Sequence, residues 1–144
     1  MTHASVETLN DLLPKLIDST LGYDKAQDAV EPGSPLGAAL LSRFEQRKAI
    51  VDDVKSYVAG HGGEPKADGT TLGAAHRLFV DAAGLIQSDR SAALTAIDDG
   101  EQRLQSAAQS ALDDDAIDPQ ARLLLMRIVQ DAQKGEKLAD HFGS

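Results

Sequence analysis

The 144-residue sequence contains no cysteine and no tryptophan, and aromatic residues make up only 3% of it. Without cysteine the chain has no disulfide, no thiolate zinc site, no iron–sulfur cluster and no cysteine nucleophile. The remaining chemistry is that of oxygen and imidazole groups. No stretch approaches the roughly 18 apolar residues of a membrane span, and the N-terminus has no basic head followed by an apolar run. These absences predict a cytoplasmic protein without a membrane partner.

An excess of basic residues is also missing. Lysine and arginine total 14 against 23 aspartates and glutamates, which gives a net charge of −9. A protein that follows a nucleic-acid backbone needs a clustered basic surface, so we expect no nucleic-acid partner for this acidic chain. The length is that of one domain with its own core, and we expect residues 1–144 to form it.

Apolar residues recur at alternating spacings of three and four, which is typical of amphipathic helices. Ser34 followed by Pro35, and Asp118 followed by Pro119, are helix start signals. Pro14 predicts that the first helix either begins near Asp11 or is kinked. We predict long helices at residues 6–30, 35–59, 91–112 and 119–142, and a short one at 72–87.

The glycine-rich linker from Gly60 to Thr71 is too long for a hairpin between adjacent helices. It predicts a crossover, containing the short helix, that returns the chain to the other end of a bundle. No run reads as a strand. The expected fold is therefore all-α, a four-helix bundle.

In each long helix, the row of apolar residues along one face is interrupted near the midpoint of the helix. The interruptions are Thr20, Arg47, Glu101, and Asp131 with Gly135. Four packed helices of similar length have their midpoints at one level, so these residues predict one central polar layer. Because a lone buried charge costs several kcal/mol, we expect Arg47 to pair with Glu101. Hydrogen-bond partners are expected from Thr20, Tyr23 and Asp131, and the alternative is that the long side chains reach outward to water.

Di-iron and di-manganese bundles place a glutamate on each of two helices and Glu-x-x-His on each of the other two. That motif is absent from the sequence: Lys48, Leu104 and Ala139 stand three residues after Glu45, Glu101 and Glu136. We therefore expect no cofactor. The weak candidates for an iron or manganese site are Asp18, Glu45, Asp53, Glu101 and Asp131, and the fixed cation of Arg47 argues against them.

Several short motifs, in a distinctive order, carry a family resemblance. They are LNDLL at 9–13, the D-x-x-x-G-Y stretch at 18–23, FEQRKAIVDDV at 44–54, HGGEP at 61–65, TTLGAAHR at 70–77 and GE at 100–101. With them the chain resembles an uncharacterised bacterial family of four-helix-bundle proteins in the ferritin-like superfamily, over most of residues 9–140. The resemblance implies an up-down-up-down bundle with a crossover between the second and third long helices. The family pattern has Glu where Thr20 stands and His where Gly135 stands, so of its inner positions only Glu101 remains for a metal.

Two classes of function follow. The first is a non-enzymatic bundle that acts by self-association or through a protein partner, because the sequence offers no reaction centre. Ala107, Ala108 and Ala111 would allow close approach of helices. The alternative is a ferritin-like oxidase or storage protein with an iron or manganese site built from the five acidic candidates. No catalytic residue is predicted.

Overall fold

The computed structural model of the protein describes residues 2–66 and 90–143. It contains four long helices: α1 (Thr2–Ala26), α2 (Pro35–Gly60), α3 (Arg90–Leu112) and α4 (Pro119–Gly143). A 3-10 turn at Gln27–Ala29 follows α1. The described residues contain no strand. The prediction of an all-α four-helix bundle is confirmed, whereas the predicted short helix at 72–87 lies outside the described residues.

Two apolar clusters fix the directions of the four helices. One cluster joins the N-terminal half of α1 and the C-terminal half of α2 to Leu104, Ala108 and the first half of α4. The other joins Tyr23 of α1 to Leu36 of α2, Leu94 of α3 and Leu138 of α4. Helices α2 and α3 therefore both begin at the end of the bundle where α1 and α4 finish.

This order is up-down-down-up, so the predicted up-down-up-down order is wrong. The predicted crossover to the other end of the bundle explains why the observed helix order differs from the predicted one. The C-terminus of α2 and the N-terminus of α3 lie at opposite ends of the bundle. A chain that travels the length of the bundle between two helices makes those helices parallel. Helix α1 packs on α2 and α3, and α4 packs on the same two helices.

Helix α1 starts earlier than predicted and contains Pro14 in its interior. The expected start near Asp11 is not adopted. A proline in a helix interior removes a hydrogen bond and costs about 3 kcal/mol. Leu9, Leu13 and Leu16, on either side of Pro14, have no exposed surface. Burying such side chains is worth about 1.5–3 kcal/mol each, which favours one continuous helix across the proline.

The start of α4 is joined to α1 and α2 by side-chain hydrogen bonds. Asp118 caps the helix, because its Oδ1 accepts from the N–H of Ala121 at 2.8 Å. The hydroxyl of Tyr57 donates to Asp118 Oδ2, and the Asp118 N–H donates to Ser5 Oγ at 2.8 Å. We call Ser5, Tyr57 and Asp118 the cap cluster. It fixes one end of the bundle, away from the predicted polar layer.

Candidate functional site

Arg47 occupies the centre of the bundle with 0% of its surface exposed. Two of its nitrogens, Nη1 and Nη2, donate to the two carboxylate oxygens of Glu101 at 2.9 and 2.6 Å. Its Nε donates to Asp131 Oδ2 at 2.7 Å, and Nη1 also reaches Ser19 Oγ at 2.5 Å. Paired hydrogen bonds of this kind are among the strongest between charged groups. One guanidinium therefore joins all four helices.

Asp131 has a second cationic partner. Arg43, one turn before Arg47 on α2, donates from Nη2 to Asp131 Oδ1. Arg43 is 5% exposed, and its buried Nε has no hydrogen-bond partner. The central layer thus holds two arginines and two carboxylates, which cancel in charge. A neutral set of this kind is the condition under which charges are tolerated in an apolar interior.

Tyr23 and Gly135 complete the surroundings of Glu101. The Tyr23 hydroxyl donates to Glu101 Oε2 at 2.6 Å, and its ring centroid lies 5.7 Å from Cζ of Arg47. Gly135 of α4 lies directly against this carboxylate. A Cβ at position 135 would overlap Glu101 Oε2 and the Tyr23 hydroxyl. The absence of a side chain at Gly135 is what makes room for Glu101.

Burial and charge act on the pKa values of this layer. Burial alone would lower the pKa of Arg47, but the charges and hydrogen bonds of Glu101 and Asp131 outweigh it and hold the pKa above its ordinary value. Burial, followed by the charge of Glu101, raises the pKa of Tyr23 well above its ordinary value. Arg47 therefore stays charged and Tyr23 stays protonated at neutral pH. Neither group is prepared to act as a general base.

The structure brings together most of the residues predicted for the layer. Tyr23, Arg47, Glu101 and Asp131 form one hydrogen-bonded set. Thr20 does not join it, because its hydroxyl donates to the carbonyl of Leu16 on its own helix at 2.8 Å. Threonine commonly bonds the carbonyl one turn earlier in a helix.

Two members of the layer were missed from the sequence, namely Ser19 and Arg43. Phe44, the apolar neighbour that competes with Arg43 for the inner face of α2, is only partly buried beside the second apolar cluster. A signal for Arg43 existed: it stands four residues before Arg47, on the same helix face. Ser19 carries no comparable signal, because serine is ordinary on a helix surface.

The five weak candidates for metal ligands do not converge. Glu45 and Asp53 are exposed on α2, and Asp53 pairs with Arg127 of α4. Asp18 is partly buried on α1, its Oδ1 has no hydrogen-bond partner, and burial raises its pKa to about 6 against the opposing charge of Lys15. Only Glu101 and Asp131 share a site, and both are bonded to arginine.

The layer does not fit a di-metal centre. Such a centre uses four carboxylates and two imidazoles, whereas the layer has two carboxylates and no imidazole. His3, His61 and His141 are exposed, and His76 lies outside the described residues. In residues 2–66 and 90–143 no three histidine, aspartate or glutamate side chains group as a metal shell. Arg43 and Arg47 supply the positive charge that a metal would bring.

The chain belongs to the family described as Domain of unknown function (DUF2383), which matches residues 4–114. The match covers α1, α2 and α3 and therefore includes Tyr23, Arg47 and Glu101. Asp131 and Gly135 lie beyond it, on α4. No curated protein and no solved structure matches the chain.

Among the described residues, no helix combines the length and apolar character needed to cross a bilayer. The charged side chains of the central layer are buried, and they are bonded to one another. Its chemistry is that of a fixed, neutral hydrogen-bond network, which positions four helices relative to one another.

Proposed function

We propose that this protein is a non-enzymatic helical bundle that acts by association, with itself or with a protein partner. The single observation that carries the proposal is the buried guanidinium of Arg47, bonded to both inner carboxylates. Those carboxylates are the groups that a metal-dependent bundle would use for chemistry. Because arginine already satisfies them, the outer faces of the helices are left as the working surface.

The outer faces carry apolar side chains that the core does not use. Leu123 is 68% exposed, and Leu41 and Met126 are each nearly half exposed. Isolated exposed residues are ordinary, but Leu123 and Met126 are one turn apart on α4 and form a pair. This pair supports an association surface.

The alanines of α3 support the proposal less than the sequence analysis expected. Ala108 has no exposed surface, and Ala107 and Ala111 pack against the first apolar cluster. Their small size serves close packing inside the bundle. Association therefore depends on other residues.

We further propose a ferritin-like relationship and a bacterial, cytoplasmic setting. The single long crossover between α2 and α3 supports the ferritin-like relationship, because ferritin-like bundles use such a connection. The short motifs that resemble the bacterial family support the bacterial setting. An iron or manganese oxidase or storage role gains no support from the geometry, because only two of its five candidate ligands share a site and arginine bonds both.

Elemental analysis by plasma mass spectrometry tests the proposal directly. The full-length protein would be measured as purified, and again after incubation with iron, manganese or zinc followed by a chelator wash. We expect no metal at stoichiometry under either condition. Stoichiometric iron or manganese would overturn the proposal and favour the metal-binding alternative.

A further inference from the structure

An exposed ion pair marks the groove between α2 and α4. Arg127 of α4 bonds Asp53 of α2, and their side chains are 43% and 53% exposed. Deeper in the bundle, Arg47 and Asp131 join the same two helices. The two helices are antiparallel, so these two links fix which residues lie at the same level along the bundle.

Two rows of exposed residues border this groove. The α2 row is Glu45, Ala49, Asp53 and Ser56, and the α4 row is Leu123, Arg127, Gln130 and Lys134. Residue numbers rise along α2 as they fall along α4, so the two linked pairs fix the level of every other residue. Glu45 is level with Lys134, and Ser56 is level with Leu123. Both acidic residues of the α2 row therefore stand level with a basic residue of the α4 row. We call the two rows together the α2–α4 face.

We propose that the α2–α4 face binds a second copy of this chain about a two-fold axis parallel to the helices. Such an axis sets α2 of one copy against α4 of the other and keeps every residue at its level. Asp53 and Arg127 of both copies then form a ring of alternating charges around the axis. Glu45 of one copy meets Lys134 of the other. This inference rests on the proposed function and names its partner and its surface.

Charge does not oppose association through the α2–α4 face. The chain carries a net charge of −9, so two copies repel each other at most approaches. The two acidic and two basic residues of the α2–α4 face cancel. Complementary charges of this kind set the register and choice of partner more than they add affinity.

Apolar contact adds to the pairing of charges. In the two-fold arrangement the exposed side chain of Leu123 lies over Ser56 of the second copy. The α2 row has only short side chains at Ala49 and Ser56, so the helices can approach closely. Leu123 is the most exposed of the large apolar residues in the described part of the chain. Its burial adds an apolar contact at one end of the face, one turn from the charged ring.

Opposite charge reversals test the ring. In Asp53→Arg the four side chains around the axis would all be positive, and in Arg127→Glu they would all be negative. We expect wild type to dimerise and each variant alone to dissociate, with the dissociation constant raised about tenfold or more. An equimolar mixture of the two variants should restore dimers. Sedimentation velocity on the full chain and native mass spectrometry of the mixture measure these outcomes.

The control uses an ion pair elsewhere on the surface. Lys66 pairs with Asp11 at 2.7 Å with similar exposure, so Lys66→Glu should leave the dimer intact. Leu123→Ser should weaken the dimer, and circular dichroism verifies that each variant is folded. A monomeric wild type, dimers that persist in both charge variants, or a mixture that stays monomeric would each overturn the inference. Dimers formed through another face would leave the proposed function standing, whereas stoichiometric metal would remove that function.

Discussion

The central layer and the cap cluster are both polar and both join several helices, but water reaches them differently. In the layer, Arg47 is 0% and Glu101 1% exposed. In the cap cluster, Asp118 is partly exposed at the start of α4, although Ser5 and Tyr57 are buried beneath it. The layer balances two cations against two anions. The cap cluster satisfies the backbone of one helix end with a single carboxylate.

This difference decides what a substitution leaves behind. Removing one charge from the layer leaves its partner in apolar surroundings, where no water compensates it. Removing the Asp118 carboxylate takes the acceptor from the Ala121 N–H and the Tyr57 hydroxyl. Because Asp118 itself is partly exposed, water can take the place of its carboxylate. The same kind of polar contact should therefore contribute very differently to stability in the two regions.

Arg47→Leu should have the largest effect on stability. Within residues 2–66 and 90–143, Arg47 is the one cation that pairs with Glu101, whereas Asp131 would keep Arg43. Breaking a buried ion pair by removing one partner costs about 3–5 kcal/mol. Urea denaturation followed by circular dichroism measures this cost. If the free energy of unfolding fell by less than about 1 kcal/mol, which is the range of exposed ion pairs, the layer and the cap cluster would not differ as proposed.

A double variant separates the pair from the packing around it. Glu101→Leu combined with Arg47→Leu removes both charges and leaves Arg43 with Asp131. Because no charge is stranded, the double variant should be more stable than Arg47→Leu alone. Additive losses in the two single variants and the double variant would contradict this coupling.

Gly135→Ala should have the next largest effect, because it disturbs the layer without removing a charge. The new Cβ would overlap the Glu101 carboxylate, which Arg47 and Tyr23 hold in place. Overpacking a core costs about 1–3 kcal/mol. Thermal and urea unfolding should both register the loss.

Gly100→Ala is the matched control for that substitution. Gly100 lies in the interior of α3, and a Cβ there would have no neighbour within 4 Å. Replacing such a helical glycine with alanine stabilises by about 0.5–1 kcal/mol. The two glycine substitutions should therefore have opposite signs. A stabilising Gly135→Ala would show that Glu101 moves away at little cost.

The layer could be predicted from the sequence because its signal is periodic. Arg47, Glu101 and Asp131 interrupt apolar stripes near the helix midpoints, and packed helices bring midpoints to one level. Arg43 was harder to predict. Adjacent positions on a helix differ by about 100° in direction, and partly buried Phe44 competes with Arg43 for the inner stripe.

Helix direction could not be read from the same pattern. An amphipathic stripe has the same spacing whether its helix runs up or down. Only the long connection from α2 to α3 carries that information, because a chain of its length can travel the whole bundle. The linker predicted the crossover, and the parallel arrangement of α2 and α3 follows from it.

Asp118→Ala tests the cap cluster and should have the smallest effect on stability. We expect a loss of about 1 kcal/mol at neutral pH, which is typical of a lost N-cap.

The effect of Asp118→Ala should also depend on pH. Partial burial would raise the pKa of Asp118, but hydrogen bonds from Ala121, Tyr57 and Ser5 outweigh it and lower the pKa. The stability that ionised Asp118 contributes is thus present above its unfolded pKa of about 4 and is lost as pH falls through the lower folded pKa. The difference between wild type and variant, measured by urea denaturation from pH 7 to pH 3, should shrink at the acid end. Asp115→Ala, at an exposed position in the same loop, is the control. It should change neither the stability at neutral pH nor the dependence of stability on pH. If Asp118→Ala cost as much as Arg47→Leu, access of water would not be what separates the two regions.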